Sequence, residues 1–199
     1  VVATAIGYGL FGSQAKALAI VNKGVDTPLD AAEQWALMAL NYAHRTAELL
    51  KGETQERYRV AVRQVQAQTL DLLMQRNTSE GRPIPRAIGR LAVDIADPES
   101  VAPKPVVPVL SKTEALVPLV SILAANVIRP FEIAVPKEIQ RQAMAQLSVE
   151  LGLGSQIGLD VFKAAEVARN ELKDGTNWVK WAALGLGTAA VVAATGGLA

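Results

Sequence analysis

The six residues GYGLFG at positions 7 to 12 have the spacing of a dinucleotide-binding loop, G-x-G-x-x-G. In such loops the glycines let the backbone approach a pyrophosphate at a helix N-terminus, and an acidic residue about 20 residues further on binds the ribose. Asp26 and Asp30 lie near that distance. The pattern therefore raises the hypothesis of a dinucleotide-binding enzyme.

The elements around this loop argue against that hypothesis. A dinucleotide site needs several parallel strands, whereas strand candidates are limited to residues 1–6 and 105–110. Both aspartates belong to GVDTPLD, which indicates a turn followed by a helix cap. Small residues at positions 3, 5, 7, 9, 12, 13 and 15 also fit a face along which another helix packs closely. We favour that interpretation, expect no cofactor, and keep the dinucleotide enzyme as a remote alternative.

Few residues are available for other catalytic chemistry. The chain contains no cysteine, which excludes disulfides, thiolate metal sites and thiol nucleophiles. His44 is the single histidine, and neither H-E-x-x-H nor G-x-S-x-G occurs in the chain. Five polar residues share helical spacing with His44: Asp30, Gln34, Asn41, Glu48 and Lys51. We interpret them as one solvated helix face, name no catalytic or metal-binding residue, and lean against an enzyme.

Composition narrows the class of protein. Half of the 199 residues are hydrophobic, 20% are charged and the net charge is +1. A charged fraction below the usual ~25% favours membrane contact. The net charge close to zero and the scarcity of aromatic residues exclude the usual mode of nucleic-acid binding, in which a basic surface binds phosphates and aromatic side chains stack on bases.

Caps, glycine stops and helical periodicity predict an all-α, multi-helix bundle of about six to eight helices with glycine- and alanine-rich apolar helices at both ends. The S-K-T-E sequence at 111–114 matches a capping box, and Pro118 either kinks that helix or marks a later start. The predicted helices span 27–51, 54–75, 86–95, 111–128, 136–151 and, from Ser155 or Asp160, up to 173.

Four prolines between residues 98 and 108 predict an extended connection. We therefore expect an N-terminal helical half at 1–97, a proline-rich linker at 98–110 and a C-terminal helical half at 111–175. Residues 176–199 then form an apolar helix that could insert into a membrane.

That last segment contains the strongest sequence feature. Residues 181–199 carry no charge and would span about 28 Å as a helix, close to the roughly 30 Å core of a bilayer. Trp178, Lys180 and Trp181 stand at its polar end, as an interfacial anchor would. The residues expected to contact a membrane or a partner are Trp178, Lys180, Trp181, Gly185, Gly187, Val191, Gly196 and Gly197. Burial as a glycine-rich core hairpin is the alternative.

The tail WVKWAALGLGTAAVVAATGGLA, residues 178–199, resembles the glycine-rich apolar segment of a family of transmembrane, coiled-coil-containing proteins with an α/β-hydrolase domain. In that family a helical region precedes the apolar segment and the hydrolase domain follows it. The resemblance implies that this chain is part of a larger protein, and it brings no catalytic residue to these 199 positions.

Three arginines in GRPIPRAIGR, Arg82, Arg86 and Arg90, recur every four residues. On one helix they would form a basic edge able to contact anionic lipid, worth roughly 1 kcal/mol per arginine. Two alternatives are an Arg90–Asp94 pair and a first turn that Pro83 and Pro85 keep out of the helix.

Two hypotheses follow. The first is a non-catalytic helical domain that associates with membrane lipid through its apolar segments. The second is a cytoplasmic helical module that binds a helical partner protein, as an interaction domain or a scaffold. A homo-oligomer is compatible with either.

Overall fold

The structure, a computed structural model, describes residues 27–97, 104–124 and 133–173. Within these ranges the chain forms helices and connections and no strand, which confirms the predicted all-α bundle. The helices are α1 (Ala31–Leu49), α2 (Gly52–Ser79), α3 (Arg86–Ala96), α4 (Lys112–Ala124), α5 (Lys137–Glu150) and α6 (Ser155–Lys173). The predicted glycine- and alanine-rich helices at the two ends lie outside the described residues.

The chain divides into two compact units, Val1–Val106 and Val107–Ala199. Helices α1 to α3 belong to unit 1, and α4 to α6 belong to unit 2. The boundary falls inside the proline-rich segment, whose described residues 104–110 are not helical. Proline lacks an amide donor and clashes with a preceding helical turn, so helices stop on either side of it.

In unit 1, α2 packs against both α1 and α3. Leu37, Leu40, Leu70, Ile88 and Leu91 are at the centre of the shared core. Residues 36–43 of α1 are all buried, and because they cover more than two turns, every side of that helix is covered there.

Helix α1 begins later than predicted. Its N-cap is Asp30, whereas Thr27-Pro28, a capping residue followed by proline at the first helical position, predicts a start at 27. Asp30 Oδ1 accepts a hydrogen bond from the Glu33 amide at 2.9 Å, and Glu33 Oε2 accepts one from the Asp30 amide at 2.9 Å. This reciprocal capping box satisfies two amides that the first helical turn leaves open, which explains the start at Ala31.

Helix α2 is longer than predicted and ends at Ser79. Thr78 donates its hydroxyl proton to the Met74 carbonyl at 2.8 Å and stays helical. The chain reverses at Gly81, whose φ of 67° favours glycine. Helical periodicity predicts that Leu72 lies on the apolar face of α2, but Leu72 is 66% exposed, so this prediction is wrong.

In unit 2, α6 packs against both α4 and α5. The predicted capping box is present, because Glu114 Oε2 accepts from the Ser111 amide at 2.9 Å. Helix α4 starts at Lys112 and contains Pro118 in its interior. A Cβ added at Gly158 of α6 would lie 2.6 Å from Ala145 Cα of α5, so the two backbones approach closely there.

Candidate functional site

The densest polar constellation of unit 1 joins the start of α1 to the end of α2 and to the turn that follows it. We name it the Asp30 cluster. It consists of Asp30, Glu33, Arg76, Asn77, Glu80 and Arg82. Both acidic residues of the α1 capping box belong to it, so the feature that starts α1 also binds the far end of α2.

Asp30 contacts both arginines of the cluster. Its Oδ1 accepts the capping hydrogen bond from the Glu33 amide, and its Oδ2 contacts Arg76 Nη2 and Arg82 Nη1. The three side chains are about 30% exposed, so their attraction is less screened than that of a fully exposed pair. One carboxylate thus ties the N-terminus of α1 to α2 and to the turn before α3.

Glu33 is completely buried. Its Oε1 accepts from Asn77 Nδ2 at 2.6 Å, its Oε2 accepts from the Asp30 amide at 2.9 Å, and Arg82 Nη2 lies 3.9 Å from Oε2. A buried carboxylate is tolerated only with such partners, because removal from water is expensive. Each of its oxygens therefore has a donor.

The turn closes the cluster. The Arg82 amide donates to the Asn77 carbonyl at 2.8 Å. Glu80 approaches the two arginines, with Oε1 3.5 Å from Arg76 Nε and Oε2 3.8 Å from Arg82 Nη1. The cluster pairs three carboxylates with two guanidiniums. Because these groups belong to the start of α1, the end of α2 and the turn before α3, their pairing holds the three segments together.

This geometry corrects the prediction of a basic edge at Arg82, Arg86 and Arg90. Helix α3 begins at Arg86, so Arg82 precedes it and cannot share its face. The Arg82 side chain is directed to Asp30. Arg86 is half-buried and Arg90 is exposed on α3. The prolines at 83 and 85 keep the first turn out of the helix, as the alternative interpretation stated.

His44 lies near the C-terminal end of α1. Its Nε2 is 3.2 Å from Glu48 Oε1, and Arg45 also contacts Glu48. The expected solvated face is correct for Glu48, which is exposed, but wrong for Asn41, which is fully buried. Asn41 Nδ2 donates to the carbonyl oxygens of Leu37 at 2.9 Å and Val106 at 3.2 Å, so this amide fastens the proline-rich segment to α1.

Tyr58 of α2 is buried, at a position that helical periodicity predicts to be apolar. Burial raises its pKa well above the usual range, and the neighbouring Tyr42 adds to the effect. A hydrogen bond with Thr46 acts in the opposite direction. Thr46 itself donates to the Tyr42 carbonyl at 2.9 Å. No sequence signal distinguishes such a tyrosine from an ordinary core aromatic.

The residues predicted to contact a membrane or partner, Trp178, Lys180, Trp181, Gly185, Gly187, Val191, Gly196 and Gly197, lie outside the described residues, as does GYGLFG. Across 27–97, 104–124 and 133–173, no helix is both long and apolar enough to cross a bilayer. The same stretches hold no group of three or more acidic or histidine side chains arranged to bind a metal ion. A comparison with known protein families, curated proteins and solved structures found no match.

Proposed function

We propose that this chain is a non-catalytic helical domain that associates with a membrane through residues 181–199. The observation that carries the proposal is the run of 19 uncharged residues that begins at Trp181 and follows Trp178 and Lys180. Tryptophan and lysine at the end of an apolar segment are typical of a bilayer interface.

The described helices support the non-catalytic part of the proposal. A general acid or base must be within reach of a substrate proton. The buried carboxylate of Glu33 instead binds the Asp30 amide and Asn77, and that of Asp30 binds two arginines. These groups hold helices together.

A second candidate is a helical protein-interaction module whose segment 181–199 is buried in protein. Val60 and Leu72 favour it, because both are large apolar side chains more than half exposed on α2. Dinucleotide binding at GYGLFG remains a remote third, and a saturable affinity for NAD, NADP or FAD that Gly9→Val abolishes would establish it.

Flotation with liposomes separates the first two candidates. We expect the parent chain to float with the vesicles and Val191→Arg to remain in the dense fraction, because a central arginine costs about 2.5–3.5 kcal/mol of insertion. Val149→Arg is the matched control, since it makes the same change at an exposed position of α5. It should float like the parent.

A parent chain that never floats contradicts the membrane proposal. If, in addition, Val191→Arg lowers the melting temperature in lipid-free buffer while Val149→Arg does not, the segment belongs to a protein core. The interaction module is then the better explanation.

A further inference from the structure

The outer face of α2 carries a ridge of exposed side chains. Val60 is 58% exposed and Leu72 is 66% exposed, and Gln64 and Gln68 lie exposed between them at four-residue intervals. Residues spaced by four form a continuous ridge on a helix. This ridge, which we name the V-Q-Q-L ridge, extends for about 18 Å along α2.

The order of residue types along the ridge is nearly the same in both directions, because the ridge has an apolar side chain at each end and two glutamines in the middle. If a second copy of α2 is aligned antiparallel about a twofold axis at the level of Gln66, Val60 faces Leu72 of the second copy and Gln64 faces Gln68 of the second copy. Two such ridges pack side by side when the helices cross at about −50°. Glutamine amides both donate and accept, so the central pairs can bond to each other.

Charges on the same face fit this alignment. Arg57 is exposed and Asp71 is half-exposed, and the antiparallel alignment brings each within about one helical turn of its opposite on the other copy. Within one copy the two residues are 14 positions apart, about 21 Å along the helix, and cannot pair. Twofold symmetry makes the intermolecular pair occur twice.

We propose that the V-Q-Q-L ridge is a homodimer interface in which α2 of one copy packs antiparallel on α2 of another. The symmetric order of residue types along the ridge and the opposite charges at Arg57 and Asp71 identify the second copy as the occupant. Only two large apolar side chains per copy contribute, so the dimer is weak and reversible. The inference does not depend on membrane association.

Sedimentation equilibrium of the full chain in lipid-free buffer tests the interface. We expect a concentration-dependent monomer–dimer equilibrium that Leu72→Glu weakens by at least about tenfold, because each copy then places an unpaired carboxylate in the contact. Val149→Glu is the matched control, since Val149 is a 55% exposed apolar residue on α5. It should leave the equilibrium unchanged.

A charge exchange tests the alignment. Arg57→Asp and Asp71→Arg should each weaken the dimer, and the chain carrying both changes should recover it, because each copy then restores the opposite pair on the other. Circular dichroism of every variant verifies that α2 stays folded. A parent chain that stays monomeric at every concentration, a Leu72→Glu chain that dimerises like the parent, or a double variant without recovery would overturn the proposal.

Discussion

Glu33 is a fully buried carboxylate, and the free-energy cost of burying it depends on the hydrogen-bond donors around it. Asn77 Nδ2 and the Asp30 amide bind its two oxygens, and Arg82 lies at the edge of hydrogen-bonding range. When such a residue is truncated, its partners lose their acceptor, and Asn77 loses it in a fully buried position. The effect on stability is therefore larger than that of an exposed glutamate.

We predict that Glu33→Ala lowers the free energy of unfolding by about 2–4 kcal/mol, whereas Glu53→Ala, at an exposed position of α2, changes it by less than about 0.5 kcal/mol. Urea denaturation followed by circular dichroism measures both values. Equal losses in the two variants would show that the hydrogen bonds of Glu33 contribute no more to the free energy of unfolding than the exposed side chain of Glu53 does.

Tyr58 links stability to alkaline pH. Burial raises its pKa in the folded chain above the ordinary value of 10.0, so the folded state keeps the phenol neutral while the unfolded chain ionises it. The contribution of Tyr58 to the free energy of unfolding is fully present below pH 10. It declines by about 1.4 kcal/mol per pH unit as the pH rises toward the pKa of the folded state.

We predict that the parent chain loses more stability between pH 9 and pH 11 than Tyr58→Phe does. Urea midpoints at several pH values give the comparison, and the difference between the two curves removes the contribution of lysines. Parallel curves would mean that the phenol of Tyr58 ionises equally in both states.

At the scale of the elements, unit 2 depends on the close approach of α5 and α6 at Gly158. An added Cβ would lie 2.6 Å from the Met144 carbonyl oxygen and 2.6 Å from Ala145 Cα. Both are backbone atoms, so no side chain can rotate away to make room. The helices would have to separate, and α6 also packs on α4.

We predict that Gly158→Ala destabilises the chain by about 1–3 kcal/mol, although alanine has the higher helix propensity by about 1 kcal/mol. Lys163→Ala, at an exposed site of α6, is the control and should be neutral. Thermal unfolding measures the difference. A stabilised Gly158→Ala chain would show that the two helices move apart without cost.

Helix ends were predictable where local chemistry decides them. The Ser111–Glu114 box and Gly152, the glycine that follows α5, are short signals, and both lie where local pattern predicts a helix end. Asp30 was missed as the N-cap because Thr27-Pro28 is an equally good local signal. The reciprocal Asp30–Glu33 capping box, which satisfies two amides of the first turn, decides the start.

At the scale of the whole molecule, the fold class followed from periodicity, whereas the Asp30 cluster did not. Asp30 and Arg76 are 46 positions apart, and no spacing rule connects them. The burial of Asn41 and the exposure of Leu72 also depend on what packs against each helix. Local patterns identify helices, but the contacts between helices decide which polar groups meet.

The complete burial of residues 36–43 in α1 has a consequence for how this protein can change during evolution. A helix with one solvated face accepts substitutions every three or four positions, and α2 has such a face. The middle of α1 has none, so a change at any of the eight positions alters packing. Relatives of this chain would therefore keep an unbroken block in α1, while substitutions in α2 would recur at its exposed positions outside the V-Q-Q-L ridge.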